Sequence, residues 1–141
     1  MAFSIALGGS IYRTRWLYHP HRWLNLFAIL SWECFEQKLP VGDAPFQLYS
    51  LGTPNGITVT IMLEELKELG VEGADYDLYT INIGEGDQFG SDFVEINPNS
   101  KIPALVDHSQ SPRLEIFESG SILLYLAEKF DQLIPTDIHG R

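Results

Sequence analysis

Two polar stretches in the second half of the chain hold the residues best suited to chemistry. The first, Asn97–Pro98–Asn99–Ser100–Lys101–Ile102–Pro103–Ala104–Leu105, ends a short helical segment and runs into a strand through an Ile-Pro bond. Proline lowers the penalty of a cis peptide, and an X-Pro bond that presents the preceding backbone to a ligand is a natural place for one. The second, Glu118–Ser119–Gly120–Ser121–Ile122, leaves a strand and opens a helix on polar residues. The first N–H groups of a helix lack intrahelical partners and carry partial positive charge, so this opening can hold a carboxylate. Together the stretches read as two halves of a site for a small peptide-like anion.

The rest of the composition narrows the function classes. A chain of 141 residues fits one domain, or one domain with an extension. The formal net charge of −10 argues against a nucleic-acid partner, since nothing would neutralise phosphates. It argues equally against docking on an anionic membrane. The single cysteine, Cys34, excludes an internal disulfide framework and fits a reducing compartment, so a cytoplasmic location is expected. His19, His21, His108 and His139 show no metal-ligand spacing with acids or cysteine, and no metal is expected.

Residues 1–37 form an extension with a different character. Arg13, Arg15 and Arg22 against Glu33 and Glu36 leave it at +1, and Tyr12, Trp16, Tyr18, Trp23, Phe27, Trp32 and Phe35 crowd it with rings. The apolar run from Trp23 to Trp32 is interrupted by Asn25 and falls short of the roughly 20 residues of a membrane span. An irregular or short helical arm lying on the main domain is expected, with a membrane-associated arm as the alternative.

The main domain is expected over residues 38–141, starting with a Pro/Gly-rich linker at 38–45. Residues 46–50 alternate like a strand. After the loop at 51–56 a helix follows, with Val59, Met62, Leu63, Leu66 and Leu69 on its apolar face and Gly70 as its stop. Residues 75–83 alternate again, as a strand parallel to the first if the helix crosses between them. Ser91 suits the cap of a short helix through Val94, Glu95 and Ile96. Residues 104–107 and 114–117 make a hairpin, and a helix from Ser119 turns Ile122, Leu123, Leu126 and Phe130 inward. The order β-α-β-(α)-β-β-α describes an α/β, thioredoxin-like mixed sheet flanked by helices.

The stretch Tyr49–Gly56, with Asn97–Leu105 and Phe117–Ala127, resembles the N-terminal domain of a glutathione S-transferase, in the nu-class or disulfide-bond-reductase-like branch. The resemblance covers roughly residues 38–137. It implies that Ile102 pairs through its N–H and C=O with the cysteinyl backbone of glutathione, with Pro103 as the cis-proline. It also implies that Glu118 takes the α-ammonium of the γ-glutamyl group and Ser119 its α-carboxylate. Lys101 would reach the glycine carboxylate, and Gln88 would make a further contact. The plain alternatives are a strand proline at Pro103, a helix cap at Ser119, and solvated side chains at Lys101 and Gln88.

Thr53–Pro54–Asn55–Gly56 stands where thioredoxins carry a Cys-x-x-Cys pair, and it contains no cysteine. The thiol must then come from the ligand. A free thiol has a pKa near 8.5, and donors from Thr53 and Asn55 at a helix start would favour its thiolate. The alternative is a simple turn into the helix. Tyr49 and Ser50 resemble the activating residues of other classes, but Tyr49 falls inside a strand pattern that suits a core.

A full-length family member continues into an all-helical domain, which is missing from this sequence. The expectation is therefore a glutathione-binding domain, with glutathione as co-substrate and a small thiol or disulfide as second substrate, in a protein that can form a homodimer. Glutathione-dependent disulfide reduction is the leading reading. A non-catalytic glutathione-binding or protein-interaction module, or an inactive truncated remnant, is the alternative.

Overall fold

The computed structural model describes residues 6–7, 10–11, 35–135, 137 and 140. The first elements are β1 (Ala6–Leu7) and β2 (Ser10–Ile11), an antiparallel pair with Ala6 opposite Ile11. They belong to a unit of Met1–Trp32, and Glu33–Arg141 forms a second unit. Cys34, His19, His21, His139 and all the rings of the arm except Phe35 lie outside the described residues, and so do the expectations placed on them.

The second unit runs β3 (Phe46–Ser50), α1 (Pro54–Glu68), β4 (Tyr76–Thr80), a 3-10 turn (Asp87–Phe89), α2 (Ser91–Ile96), β5 (Ala104–Asp107), β6 (Leu114–Phe117) and α3 (Ser119–Phe130). The sheet order is β4-β3-β5-β6. β3 and β4 are parallel, joined through α1, whereas β5 runs antiparallel to both β3 and β6. This is the thioredoxin-like layout.

Alternation along β3 and β5 divides the core. Phe46, Leu48 and Leu105 face Val59, Leu63 and Leu66 of α1 and Ile122 and Leu126 of α3. Tyr49, Ala104 and Val106 point the other way, onto Phe93 and Ile96 of α2, with Leu39 and Ile81. Each fully buried Leu or Phe in these layers contributes about 1.5–3 kcal/mol. That burial, more than helix propensity, holds the six-residue α2 in place, because so short a helix is marginal alone.

Local chemistry sets the ends of α1. Thr53 caps it by accepting from the Gly56 N–H at 3.2 Å, and Pro54 occupies the first helical position. At the far end Gly70 turns left-handed (φ +70°), with Gly70 N–H donating to Lys67 C=O and Val71 N–H to Leu66 C=O. Leu69, whose N–H still donates to Glu65 C=O at 3.0 Å, is 55% exposed, not on the buried face where its spacing placed it.

Two details depart from the sequence reading. Ser91 does not cap α2: Gly90 holds that position, and the Ser91 hydroxyl donates to Gln37 C=O at 3.0 Å and accepts from Gln37 N–H at 3.0 Å. Residues 35–37, expected to end the arm, and the first part of the expected linker at 38–45 are both fastened to the domain. Leu39 is buried, its N–H donates to Asp92 Oδ2 at 2.9 Å, and Ser91 N–H donates to Phe35 C=O at 2.9 Å.

Candidate functional site

The sheet register brings the eight expected residues to one end of the molecule. Ser50 lies opposite Thr80, Tyr49 opposite Ala104, and Ala104 opposite Phe117. β3, β4 and β6 therefore finish where β5 begins. Thr53 and Asn55 follow β3, Gln88 follows β4, Lys101, Ile102 and Pro103 lead into β5, and Glu118 and Ser119 follow β6. None of the eight falls at the opposite end.

The ladder between β3 and β5 stops at Tyr49–Ala104. Beyond it the Ile102–Pro103 peptide is cis, and among the described residues the Ile102 N–H and C=O have no hydrogen-bond partner. A free donor and a free acceptor on one half-buried residue match the two backbone groups of a peptide unit. Asn97 shapes this edge. Fully buried, it donates from Nδ2 to Lys101 C=O at 2.6 Å and accepts Asn99 N–H at 3.0 Å on Oδ1. Ser100 takes a left-handed conformation (φ 53°) inside this turn, and its N–H donates to Asn97 C=O at 2.9 Å. Lys101 itself is exposed, free to swing toward an anion.

Across β6, Glu118 adopts φ 68° and ψ 119°, a backbone state that non-glycine residues rarely occupy. Such strain collects at functional sites. Glu118 makes no side-chain cap bond to α3, and Ser119 is the first helical residue, not the cap. The cap alternative for Ser119 therefore does not describe its position. Among the described residues the N–H groups of Ser119, Gly120 and Ser121 and the Ser119 hydroxyl have no hydrogen-bond partner, whereas Ile122 N–H is the first to close onto Glu118 C=O, at 3.0 Å. The mouth of a twelve-residue helix is left open to a negative group.

The turn after β3 completes the edge. The Thr53 oxygen accepts from Gly56 N–H, which leaves its O–H available as a donor. Asn55 is exposed, and its side-chain amide has no hydrogen-bond partner among the described residues. Gly56 is required by close approach: a Cβ there would stand 2.2 Å from Leu51 O and 2.4 Å from Ser50 Oγ. Ser50 is thus buried beneath α1. Tyr49 is a core residue. Its hydroxyl donates to Pro40 C=O at 2.8 Å, its ring stacks on Tyr79, and burial, with Tyr79 beside it, pushes its pKa up to about 12. Gln88, half-buried, keeps its Oε1 inside with no protein partner among the described residues.

These features match a known family. The family model described as glutathione S-transferase, N-terminal domain, fits residues 44–128, more than half of the chain. The chain belongs to the glutathione S-transferase family. An uncharacterised glutathione S-transferase-like protein of Streptococcus mutans is 69% identical over 103 residues, covering 73% of this chain and 39% of that protein. The disulfide-bond oxidoreductase YghU of Escherichia coli is 62% identical over 117 residues, covering 83% and 41%. The solved structure of glutathione transferase YghU from Streptococcus pneumoniae, complexed with glutathione, superposes with a TM-score of 0.73 at 62% identity, covering 74% of this chain and 40% of that one. The chain thus spans about two fifths of the length of these relatives.

Two residues that shape this part of the structure, Gln37 and Asp92, escaped the sequence reading, and Asn97, though inside a stretch singled out there, had no role assigned. Asn97 carried a signal, because an Asn-Pro-Asn run favours side-chain bonds to nearby backbone. Gln37 and Asp92 carried none, since their partners lie some fifty residues away. Among the described residues no group of three or more His, Cys, Asp or Glu is arranged to hold a metal ion. No described helix is long and apolar enough to cross a membrane.

Proposed function

We propose that this domain binds glutathione along the open end of its sheet and supplies the glutathione half of a disulfide-bond reductase. The observation that carries the reading is the set of unpaired groups gathered there by register: the Ile102 N–H and C=O, the α3 mouth with the Ser119 hydroxyl, and the Asn55 amide. The names of the relatives, a disulfide-bond oxidoreductase and a glutathione complex, support it. In this reading Ile102 clamps the cysteinyl backbone beside Pro103, Ser119 and the helix mouth hold the γ-glutamyl carboxylate, and Glu118 takes the ammonium. Lys101 meets the glycine carboxylate, and Gln88 makes a further contact.

Thr53 and Asn55 are the proposed catalytic residues. Their donors hold the glutathione sulfur as thiolate; each unit of pKa depression requires about 1.4 kcal/mol, within reach of one or two charge-assisted hydrogen bonds. The thiolate attacks one sulfur of a small disulfide, forming a mixed disulfide and releasing the other sulfur as a thiolate that takes up a proton. A second glutathione thiolate then attacks the glutathione sulfur of the mixed disulfide. Oxidised glutathione leaves with the second substrate thiol, and two electrons have passed from two glutathiones to the disulfide. A reducing cytoplasm, a second substrate drawn from small thiols and disulfides, and a homodimeric assembly belong to the same proposal.

Calorimetric titration with reduced glutathione tests the site. One saturable site, weakened about tenfold or more by Ser119→Ala, is expected from loss of a hydrogen bond to a charged group. Turnover of 2-hydroxyethyl disulfide with glutathione, lost in Asn55→Ala, is the expected activity. A folded chain that binds no glutathione overturns the reading. Binding without turnover leaves a glutathione-binding module in place of an enzyme.

A further inference from the structure

Glutathione contact through Gln88 depends on how the turn around it is held, and that turn is fastened from a distant part of the chain. Gln37 Nε2 donates to Asp87 C=O at 3.1 Å, so the peptide group joining Asp87 to Gln88 is held by the Gln37 side chain. The Gln37 backbone exchanges two hydrogen bonds with the Ser91 hydroxyl, both at 3.0 Å. Phe35 C=O receives Ser91 N–H, and Leu39 N–H reaches Asp92. Residues 35–39 therefore grip both flanks of Gln88. Within the turn, Asp87 N–H and Glu85 N–H donate to Asn82 C=O at 3.2 and 3.1 Å, Gly84 N–H to Asn82 Oδ1 at 3.1 Å, Asn82 N–H to Asp87 Oδ2 at 3.0 Å, Phe89 N–H to Gly86 C=O and Gly90 N–H to Asp87 C=O, and none of these comes from outside residues 82–90.

Gly90 shows how closely the strap fits. A Cβ built there would lie 2.1 Å from Gln37 Oε1 and 2.3 Å from its Cδ, although the Gly90 backbone (φ −68°, ψ 152°) suits any residue. The absence of a side chain at 90 is what lets the Gln37 carboxamide lie across the turn. Among the described residues the strap and the turn each leave one oxygen buried without a protein partner, Gln37 Oε1 and Gln88 Oε1. Gln37 uses its nitrogen to hold the backbone, while Gln88 keeps its acceptor uncommitted.

We infer that Gln37 is a positioning residue for glutathione recognition: it fixes the Asp87–Gln88 peptide so that the Gln88 carboxamide is presented to the ligand. This rests on the assignment of the glutathione site above. Gln37 touches no ligand in this account, and its effect passes entirely through Gln88.

A double-mutant cycle in the 141-residue chain tests it, read by calorimetric titration with reduced glutathione. Gln37→Met keeps the length and body of the side chain and removes the donor. On the wild-type background it should weaken binding about fivefold, the worth of one neutral hydrogen bond. On a Gln88→Ala background it should change affinity by less than about twofold, since coupled residues are non-additive. Gly90→Ala, which displaces Gln37 from the other side, should reproduce the same Gln88-dependent loss and serves if Gln37→Met folds poorly. Equal weakening on both backgrounds, or none on either, overturns the inference while glutathione binding itself stands. A Gln88→Ala variant that binds as wild type overturns it as well. A folded wild-type chain that binds no glutathione overturns the site assignment and this role together.

Discussion

β5 is four residues long, and its two ends are built on opposite principles. At its C-terminal end Asp107 is fully buried and saturated: Oδ1 accepts Ser109 N–H at 2.7 Å, and Oδ2 accepts the Tyr125 hydroxyl and the Lys129 ammonium, the latter at 2.6 Å. Lys129 also donates to Ser109 Oγ at 2.7 Å and lies 5.3 Å from the Phe46 ring centroid. At the N-terminal end Ile102 leaves both backbone groups unpaired among the described residues, at the same end of the sheet as the uncapped start of α3. α3 thus serves both ends: its last turns close the buried ion pair and its first turn stays open. A small domain spends its polar pairing where it needs rigidity and withholds it where a ligand can complete it.

The largest effect expected from breaking this contrast lies at the closed end. Lys129→Met leaves the buried Asp107 without its counter-charge, holding only the Ser109 N–H and the Tyr125 hydroxyl, and should cost roughly 3–5 kcal/mol in urea or thermal unfolding, with the β5–α3 junction loosened. The pH profile sharpens the point. Burial alone would raise the Asp107 pKa, but the hydrogen bonds from Lys129, Ser109 and Tyr125 outweigh it and hold the carboxyl below its ordinary value. Its stabilisation is therefore complete above the unfolded-state value and is lost as pH falls through the lower folded one. The stability gap between wild type and Lys129→Met should narrow over that acidic window. A gap that stays constant there would show that the pair is not what Lys129 contributes.

At the open end the effects should fall on binding more than on folding. Gly56→Ala is the exception, because its Cβ meets the Leu51 carbonyl and Ser50 Oγ. It should destabilise by about 1–3 kcal/mol, as overpacking does, and move the Asn55 turn outward, so both melting and glutathione titration report it. Thr53→Val removes the cap to Gly56 and should cost about 1 kcal/mol of stability, while Thr53→Ser keeps both the cap and the hydroxyl. Disulfide turnover that survives Thr53→Val would leave Asn55 as the sole thiolate donor. Tyr49→Phe is expected to be the mildest, about 1 kcal/mol for the bond to Pro40, with no change in glutathione affinity.

Much of the fold was legible because its signals are local. Alternation located β3 and β4, the polar turn between two short apolar runs located the β5–β6 hairpin, and 3.6-residue spacing located α1 and α3, with Gly70 marking one helix end. The short stretches at 97–105 and 118–122 were legible as polar groups beside strand and helix boundaries. What stayed hidden joins residues far apart in sequence. Asp107 read as a polar strand end; Tyr125 and Lys129, four apart on one helix face, become its partners only once the β5–α3 packing exists. Residues 35–37 read as the end of the arm and 38–45 as a linker because irregular backbone carries no period, and their partners at Asp87, Ser91 and Asp92 had no pattern to announce them. Ser91 had the chemistry of a cap, yet the strap claimed its hydroxyl first.

That strap also sets an order of events during synthesis. Residues 35–39 leave the ribosome before any of the elements they fasten, and their hydrogen bonds span 50 to 56 positions of chain. Loop closure over such a span gains nothing until α2 exists to receive it. The segment translated first in this unit therefore waits for partners made some fifty residues later, and the Gln88 turn gains its fastening only once Ser91 and Asp92 have followed it.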